Sequence, residues 1–173
     1  RGGLGHRRFV GWRRQFLRWR RRGRWMVNQK EFLALLDQPR IVAAIGSAEG
    51  ETSGEIRIHI QRKVGGGDIR FVAERTFERL GMTKTALRNG VLLFIASEER
   101  SFVILGDKGI DEKVPAGFWD EIAAKLTIRF RNGEFTEGIV DAITAAGHQL
   151  KTYFPRAEGD VDELSDEIDV SEE

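Results

Sequence analysis

Six consecutive apolar residues, Val91 to Ala96, constrain the fold more than any other part of this sequence. The run is bounded by Asn89-Gly90 on one side and by a polar turn at 97–100 on the other, and this pattern predicts a β-strand. Because the run contains no polar residue, both faces of the strand must be buried. We therefore expect it in the middle of a sheet that other elements cover on both sides.

The remaining elements follow from residue spacing. Ile56, Ile58 and Ile60 alternate with polar residues, which predicts a half-exposed strand with His59 on its outward face. Residues 102–105 form the second strand of a hairpin with the apolar run. Apolar residues three and four positions apart predict helices that begin near Asn28, Asp37, Asp68, Pro115 and Phe135.

This order of elements predicts an α/β fold, specifically a three-layer α/β/α sandwich. The two strands that a helix connects should run parallel with a right-handed crossover, and the hairpin strand should be antiparallel to them. Helices before, between and after the strands would cover both faces of the sheet. The pattern places three strands, and we expect a small mixed sheet of about four.

Charge divides the chain into three parts. Its 173 residues suit one domain. Residues 1–25 contain ten arginines and no acidic residue, whereas residues 155–173 contain nine acidic residues and one arginine. We predict a basic Arg/Trp-rich extension at 1–25, an α/β domain at 26–155, and an acidic tail without regular structure at 156–173.

The basic extension has two interpretations. Trp12, Trp19 and Trp25 lie among its arginines, a composition that suits a segment binding RNA or a membrane surface. Alternatively, the extension is translated upstream sequence or dispensable, because Met26 begins a well-formed domain and Arg, Gly and Trp share G-rich codons. We predict no specific nucleic-acid partner, and no apolar run approaches the roughly 18 residues that a transmembrane helix needs.

Three polar, glycine-containing loops are predicted to meet at one edge of the sheet. Residues 52–55 and 88–90 precede the two parallel strands, and residues 106–109 follow the antiparallel strand, so all three lie at the same edge. They are either a binding site or ordinary turns. A rival location is Gly65–Asp68, which leads into a helix N-terminus of the kind that binds phosphate, although Asp68 would repel an anion.

Acidic residues near this edge suggest a metal site. Carboxylate and carbonyl oxygens are the ligands that calcium and magnesium prefer. The alternative is a solvated acidic loop partnered by Lys108 and Lys113, and the spacing of an EF-hand is absent. The predicted ligands of a divalent cation, with calcium as the expected ion, are Glu55, Asn89, Asp107, Asp111 and Asp120.

Several kinds of chemistry are excluded by composition. The chain has no cysteine, which removes disulfides, thiolate nucleophiles and cysteine-based zinc sites. Its histidines, His6, His59 and His148, are isolated in sequence, and we expect His59 and His148 at the surface. No metalloprotease or serine-nucleophile motif is present. Absence of cysteine fits a reducing compartment, and we predict a cytoplasmic protein.

Five ordered segments resemble a known family. They are TSGEIRIHI, the LGMTKT–RNGVLLFIA run, FVILGDKGI, PAGFWDEI and FRNGEFTEGIVDAI. Over about residues 38–155 the sequence is similar to the TPM domain family, named for a thylakoid lumen phosphatase-like protein, a photosystem II repair factor and a nematode receptor modulator. The small soluble bacterial members are the most similar subgroup.

The resemblance implies a four-stranded α/β/α sandwich, divalent-metal binding in some members and acid phosphatase activity in some plant members. Asn89, Gly90, Asp107 and Gly109 match the family motifs, and Glu55 and Asp120 match them less closely. We therefore expect a divalent-metal-binding or protein-interaction module with an unidentified protein partner. The alternatives are a metal-assisted acid phosphatase and a nucleic-acid or membrane-surface binder that acts through the basic extension.

Overall fold

The computed structural model of the protein describes residues 17–18, 28–161 and 164–171. Its helices are α1 (Gln29–Ala34), α2 (Gln38–Glu49), α3 (Ile69–Arg79), α4 (Lys108–Asp111), α5 (Phe118–Asn132) and α6 (Phe135–Tyr153), with a 3-10 turn at Met82–Lys84. Its strands are β1 (Leu17–Arg18), β2 (Ile56–Gln61), β3 (Val91–Ala96), β4 (Ser101–Gly106) and β5 (Asp169–Ser171). None of the described helices combines the length and the apolar character needed to cross a membrane.

The apolar run lies at the centre of the sheet, as predicted. The strand order is β1-β4-β3-β2-β5, and every residue of β3 is buried. β2 is parallel to β3, and β4 pairs antiparallel with β3 in the predicted hairpin. The two outer strands are short: β5 is parallel to β2, and the two-residue β1 is antiparallel to β4. The predicted sheet of about four strands is therefore confirmed, with β1 as a small addition.

Helices cover both faces of this sheet. On one face, α1, α2, α5 and α6 bury a large apolar cluster against alternate residues of β2, β3 and β4. On the other face, α3 and the 3-10 turn bury a smaller cluster around Leu92 and Phe94. The predicted three-layer α/β/α sandwich is thus confirmed, and its core is split in two by the sheet.

Three of the five predicted helix starts, those at Asn28, Asp37 and Asp68, correspond to side-chain caps. Asn28 accepts a hydrogen bond from the backbone N–H of Glu31, whose side chain accepts one in return from Asn28. Asp37 caps α2, which tolerates a proline in its first turn, and Asp68 caps α3. Gly133 ends α5 with a left-handed φ of 80°, a conformation that favours glycine.

Two local predictions were wrong. β2 is not half-exposed, since residues 56–60 are all buried, and His59 is only 1% exposed. The reason is that the ring of His59 packs on Phe94 beneath the α3 layer and the tail, whereas sequence alternation alone indicated an open face. The segment after β4, predicted as a loop, contains the short helix α4 because Asp107 caps its first turn. His148 is exposed, as predicted.

Each end of the chain contributes a short outer strand to the sheet. The predicted basic extension lies outside the described residues except for β1. The acidic tail was expected to have no regular structure, but residues 169–171 form β5 on the free edge of β2. Composition could not show this, because the contacts of the tail are made with residues distant in sequence.

Candidate functional site

The three polar loops do converge, because the register of the strands places them together. Ile56 lies opposite Val91, and Val91 lies opposite Gly106. The backbone N–H of Val91 donates to the carbonyl of Glu55 at 2.7 Å, and that of Asp107 donates to Gly90 at 2.8 Å. Residues 52–55, 88–90 and 106–109 therefore form one edge, which we call the strand-start edge.

Asp107 is the most firmly held acidic residue of this edge. Its carboxylate accepts two hydrogen bonds from the guanidinium of Arg88, at 2.6 Å to Nε and 2.7 Å to Nη2. It also caps α4 by accepting from the backbone N–H of Lys108 at 2.8 Å. Asp107 is 3% exposed, and its hydrogen bonds raise the pKa of Arg88 above its ordinary value. This ion pair links the 88–90 loop to the 106–109 loop.

Asn89 lies beside this ion pair and is 1% exposed. Its side-chain N–H group donates to the carbonyl oxygen of Ser53 at 3.2 Å, and this contact fixes the orientation of the amide. The other end of the amide, Oδ1, is buried and accepts no hydrogen bond. Burying an amide oxygen without a hydrogen bond costs free energy, and a ligand that contacts the oxygen would offset this cost.

Gly109 allows the 106–109 loop to contact the backbone of the 88–90 loop. Its backbone N–H donates to the carbonyl of Arg88 at 2.7 Å. A Cβ atom at position 109 would collide with the carbonyl oxygens of Leu87 and Arg88. The glycine is therefore required by close backbone approach, a reason that its place in the GDKG motif did not reveal.

Glu55 belongs to a second acidic group at the end of α2. It is 4% exposed, and its charge acts on the buried carboxyl of Glu49. Oε1 of Glu49 accepts from the backbone N–H of Ile56 at 2.7 Å. Burial, with Glu55 and Asp166 nearby, raises the pKa of Glu49 to about 9, so this carboxyl is protonated at neutral pH.

Glu49 was not among the predicted site residues, although the sequence contains a signal for it. Glu49 continues the spacing of Ile41 and Ile45 along α2, so an acidic residue occupies the apolar face of this helix. A charged residue at such a position must be paired or neutral. The spacing along α2 is therefore itself a sign of an acid with a perturbed pKa.

The other two predicted ligands, Asp111 and Asp120, take structural positions. Oδ1 of Asp111 accepts from Nε1 of Trp119 at 3.1 Å, and burial raises the pKa of Asp111. Asp120 lies in the first turn of α5, where a negative charge is favourable. Within residues 28–161 and 164–171, no three histidine or acidic side chains are grouped so that they could hold a metal ion.

The rival location at Gly65–Asp68 is a turn that begins α3. Gly65 and Gly66 have φ angles of 67° and 80°, which favour glycine. Oδ1 of Asp68 accepts from the backbone N–H of Arg70 at 2.9 Å. Asp68 therefore acts as the helix cap, which accounts for this segment without a ligand.

Comparison with known proteins identifies the family. The family model described as the TPM domain matches residues 26–149, which include β2, β3, β4, the helices α1 to α5 and most of α6. The chain belongs to the TPM domain family. A solved relative is the BA42 protein of the psychrophilic bacterium Bizionia argentinensis, studied by NMR. It is 42% identical, with a TM-score of 0.71 over 78% of this chain and 92% of that one.

The comparison with curated proteins finds no match for this TPM domain. The matched region ends within α6, so β5 and the rest of the acidic tail lie beyond it. The strand-start edge, in contrast, lies wholly inside the matched region. The edge is therefore part of the matched TPM domain, and the docked tail lies outside the matched range.

Proposed function

We propose that this TPM domain binds a divalent cation at the strand-start edge, with calcium as the expected ion. The observation that carries the proposal is the buried Oδ1 atom of Asn89, which accepts no hydrogen bond and belongs to the middle loop, between those that carry Glu55 and Asp107. A neutral amide oxygen together with carboxylates is a donor set that calcium accepts. Asn89 and Asp107 would be the principal ligands, with Glu55 as a third.

Arg88 has a defined part in this proposal. Its guanidinium supplies the positive charge that neutralises the buried carboxylate of Asp107. A cation that binds Asp107 must displace this group, and the Arg88 side chain is 37% exposed, so it can move into water. Arg88 therefore acts as a competitor of the cation, and cation binding would exchange one positive charge for another.

The test is a calcium titration of the full chain followed by thermal unfolding. Binding should stabilise the native state by RT ln(1 + [L]/Kd), about 2.7 kcal/mol at a hundredfold excess over Kd. Asp107→Asn should remove most of this gain, because it retains the cap of α4 and loses the charge. Arg88→Gln should lower the calcium concentration needed for half-maximal stabilisation, because the competing charge is gone.

Asp68→Asn is the matched control, since it removes one carboxylate that caps a helix outside the edge. This variant should bind calcium like the natural chain. The proposal fails if millimolar calcium does not raise the melting temperature, or if Asp107→Asn leaves the rise intact. No observation in the described residues favours the acid phosphatase, and any such activity should fall together with calcium binding in Asp107→Asn.

A further inference from the structure

The acidic tail forms the outer strand of the sheet through a small set of contacts. β5 pairs in parallel with β2, with Asp169, Val170 and Ser171 opposite His59, Ile60 and Gln61. Before this strand, Leu164 packs against the α3 side of the sheet and Ile168 against the opposite apolar cluster. The tail therefore straddles the β2 edge and contacts both layers of helices.

One acidic side chain of β5 is held by two groups of the domain. Oδ2 of Asp169 lies 2.7 Å from Nδ1 of His59 on β2 and 2.7 Å from Nη2 of Arg79 on α3. A carboxylate can only accept a hydrogen bond, so Nδ1 of His59 carries a proton in this contact. Since His59 is 1% exposed and packs on Phe94, its ring is held in place by the domain core.

The domain also contacts the tail on either side of Asp169. Nε2 of Gln29 donates to the backbone carbonyl of Ser171 at 2.7 Å. Asp166 lies over α2 where Gly46 leaves space, because a Cβ atom there would lie 3.1 Å from Oδ2 of Asp166. Asp166 also lies near the buried carboxyl of Glu49 and is one of the groups that raise its pKa, after burial itself. The domain thus contacts two aspartates three positions apart and the backbone from Asp169 to Ser171.

The contacts between the tail and the domain involve specific polar groups but only a few residues. β5 has three residues, and Val170 is 43% exposed. The fully buried side chains of both apolar clusters come from the domain, and the described tail adds only Leu164 and Ile168 at their margins. The tail can therefore leave the β2 edge without opening the core, and another strand of similar chemistry can take its place.

We propose that the β2 edge, with His59 and Arg79, is a binding site for an extended Asp-x-x-Asp segment of a partner protein, and that the tail of this chain is its occupant in cis. Strand addition supplies the backbone hydrogen bonds, and the two aspartate positions supply selectivity. Charge complementarity favours an acidic segment, since Arg79 is a cation at the edge and His59 donates a proton to a carboxylate. The partner must displace the tail before it binds.

The test uses a fluorescent peptide of sequence LSDEIDVS, which corresponds to residues 164–171. In the natural chain the tail competes at an effective concentration on the order of millimolar, so the peptide should bind poorly. Asp169→Asn in the chain weakens the occupant in cis and leaves the β2 edge intact. Fluorescence anisotropy should then show binding tighter by about tenfold or more than in the natural chain.

Matched variants separate recognition from general charge. Glu167→Gln changes an exposed tail acid and should leave peptide binding as in the natural chain. A peptide with asparagine in place of its second aspartate should bind the Asp169→Asn chain about tenfold less tightly. Adding Arg79→Gln to that chain should also weaken binding of the original peptide.

Equal binding of both peptides, or no binding to the Asp169→Asn chain, would overturn the proposal. A concentration-dependent dimer that excess peptide does not dissociate would also overturn it, because the site would then belong to a second copy of this chain.

Discussion

The carboxyl of Glu49 is held out of water at the end of α2, 3% exposed and close to two other acids. Its pKa in the folded protein is about 9, above its ordinary value of 4.5. A group with a raised pKa contributes full stability below pH 4.5, and that contribution is lost as pH rises towards 9. Keeping the proton on Glu49 therefore costs the folded state more at pH 8 than at pH 5.

We expect Glu49→Gln to stabilise the protein at pH 8. Glutamine has the same shape, still accepts the hydrogen bond from Ile56 and needs no proton from solvent. The gain in the free energy of unfolding should be about 2 kcal/mol or more at pH 8 and below about 1 kcal/mol at pH 5, at roughly 1.4 kcal/mol per pH unit above the ordinary pKa. Urea denaturation at both pH values measures it.

Glu51→Gln is the control for this prediction, because Glu51 is an exposed acid two residues away that pairs with Lys151. Its effect should be small at both pH values. If Glu49→Gln has the same effect at pH 5 as at pH 8, the raised pKa of Glu49 is not what limits stability.

At the scale of elements, the contact between α4 and the 88–90 loop depends on Gly109. Gly109→Ala would push its Cβ atom into the backbone carbonyls of Leu87 and Arg88, which cannot rotate away as a side chain could. We expect a loss of about 2–3 kcal/mol in the free energy of unfolding. Calcium stabilisation should fall as well, because the clash separates Asn89 from Asp107.

Gly67→Ala serves as the comparison for Gly109→Ala. Its added Cβ atom would meet nothing nearer than 3.4 Å, and Gly67 lies in an exposed turn. Chemical denaturation should show a change within about 0.5 kcal/mol. If the two glycine variants are equally stable, the close approach at Gly109 does not hold the loops together.

Elements with a strong local signal could be predicted from the sequence, and those that depend on distant contacts could not. The apolar run of β3 and the caps at Asn28, Asp37 and Asp68 are determined by neighbouring residues, and the structure confirms them. β5 has no such signal, because it depends on pairing with β2 and on the side chain of Arg79, which lie ninety or more residues earlier.

The candidate site shows the same division. Topology predicted correctly that residues 52–55, 88–90 and 106–109 meet, since strand order fixes where strands begin and end. Topology could not predict the side-chain partners. The ion pair between Arg88 and Asp107 and the unpartnered Oδ1 of Asn89 depend on rotamers and burial. A sequence pattern gives the position of a polar residue but not the atom that it contacts.

At the scale of the whole molecule, the acidic end of the chain is tied to the domain by described contacts. The ten arginines of residues 1–25 precede Phe32, which is the first described residue of the core. The acidic tail instead reaches back over the sheet and covers His59 and Glu49. The two ends should therefore differ in what their removal costs.

We expect a chain beginning at Met26 to unfold within a few degrees of the full chain, a change of roughly 1 kcal/mol or less. β1 contributes two residue pairs, to Phe102 and Ser101, whereas the core and the strand-start edge are complete without it. A chain ending at Asp160 should lose more, about 1–3 kcal/mol, because it gives up Ile168 and leaves His59 without the carboxylate of Asp169. Differential scanning calorimetry of the three chains at equal salt measures both changes. A larger loss for the chain beginning at Met26 would show that the basic extension packs on the domain.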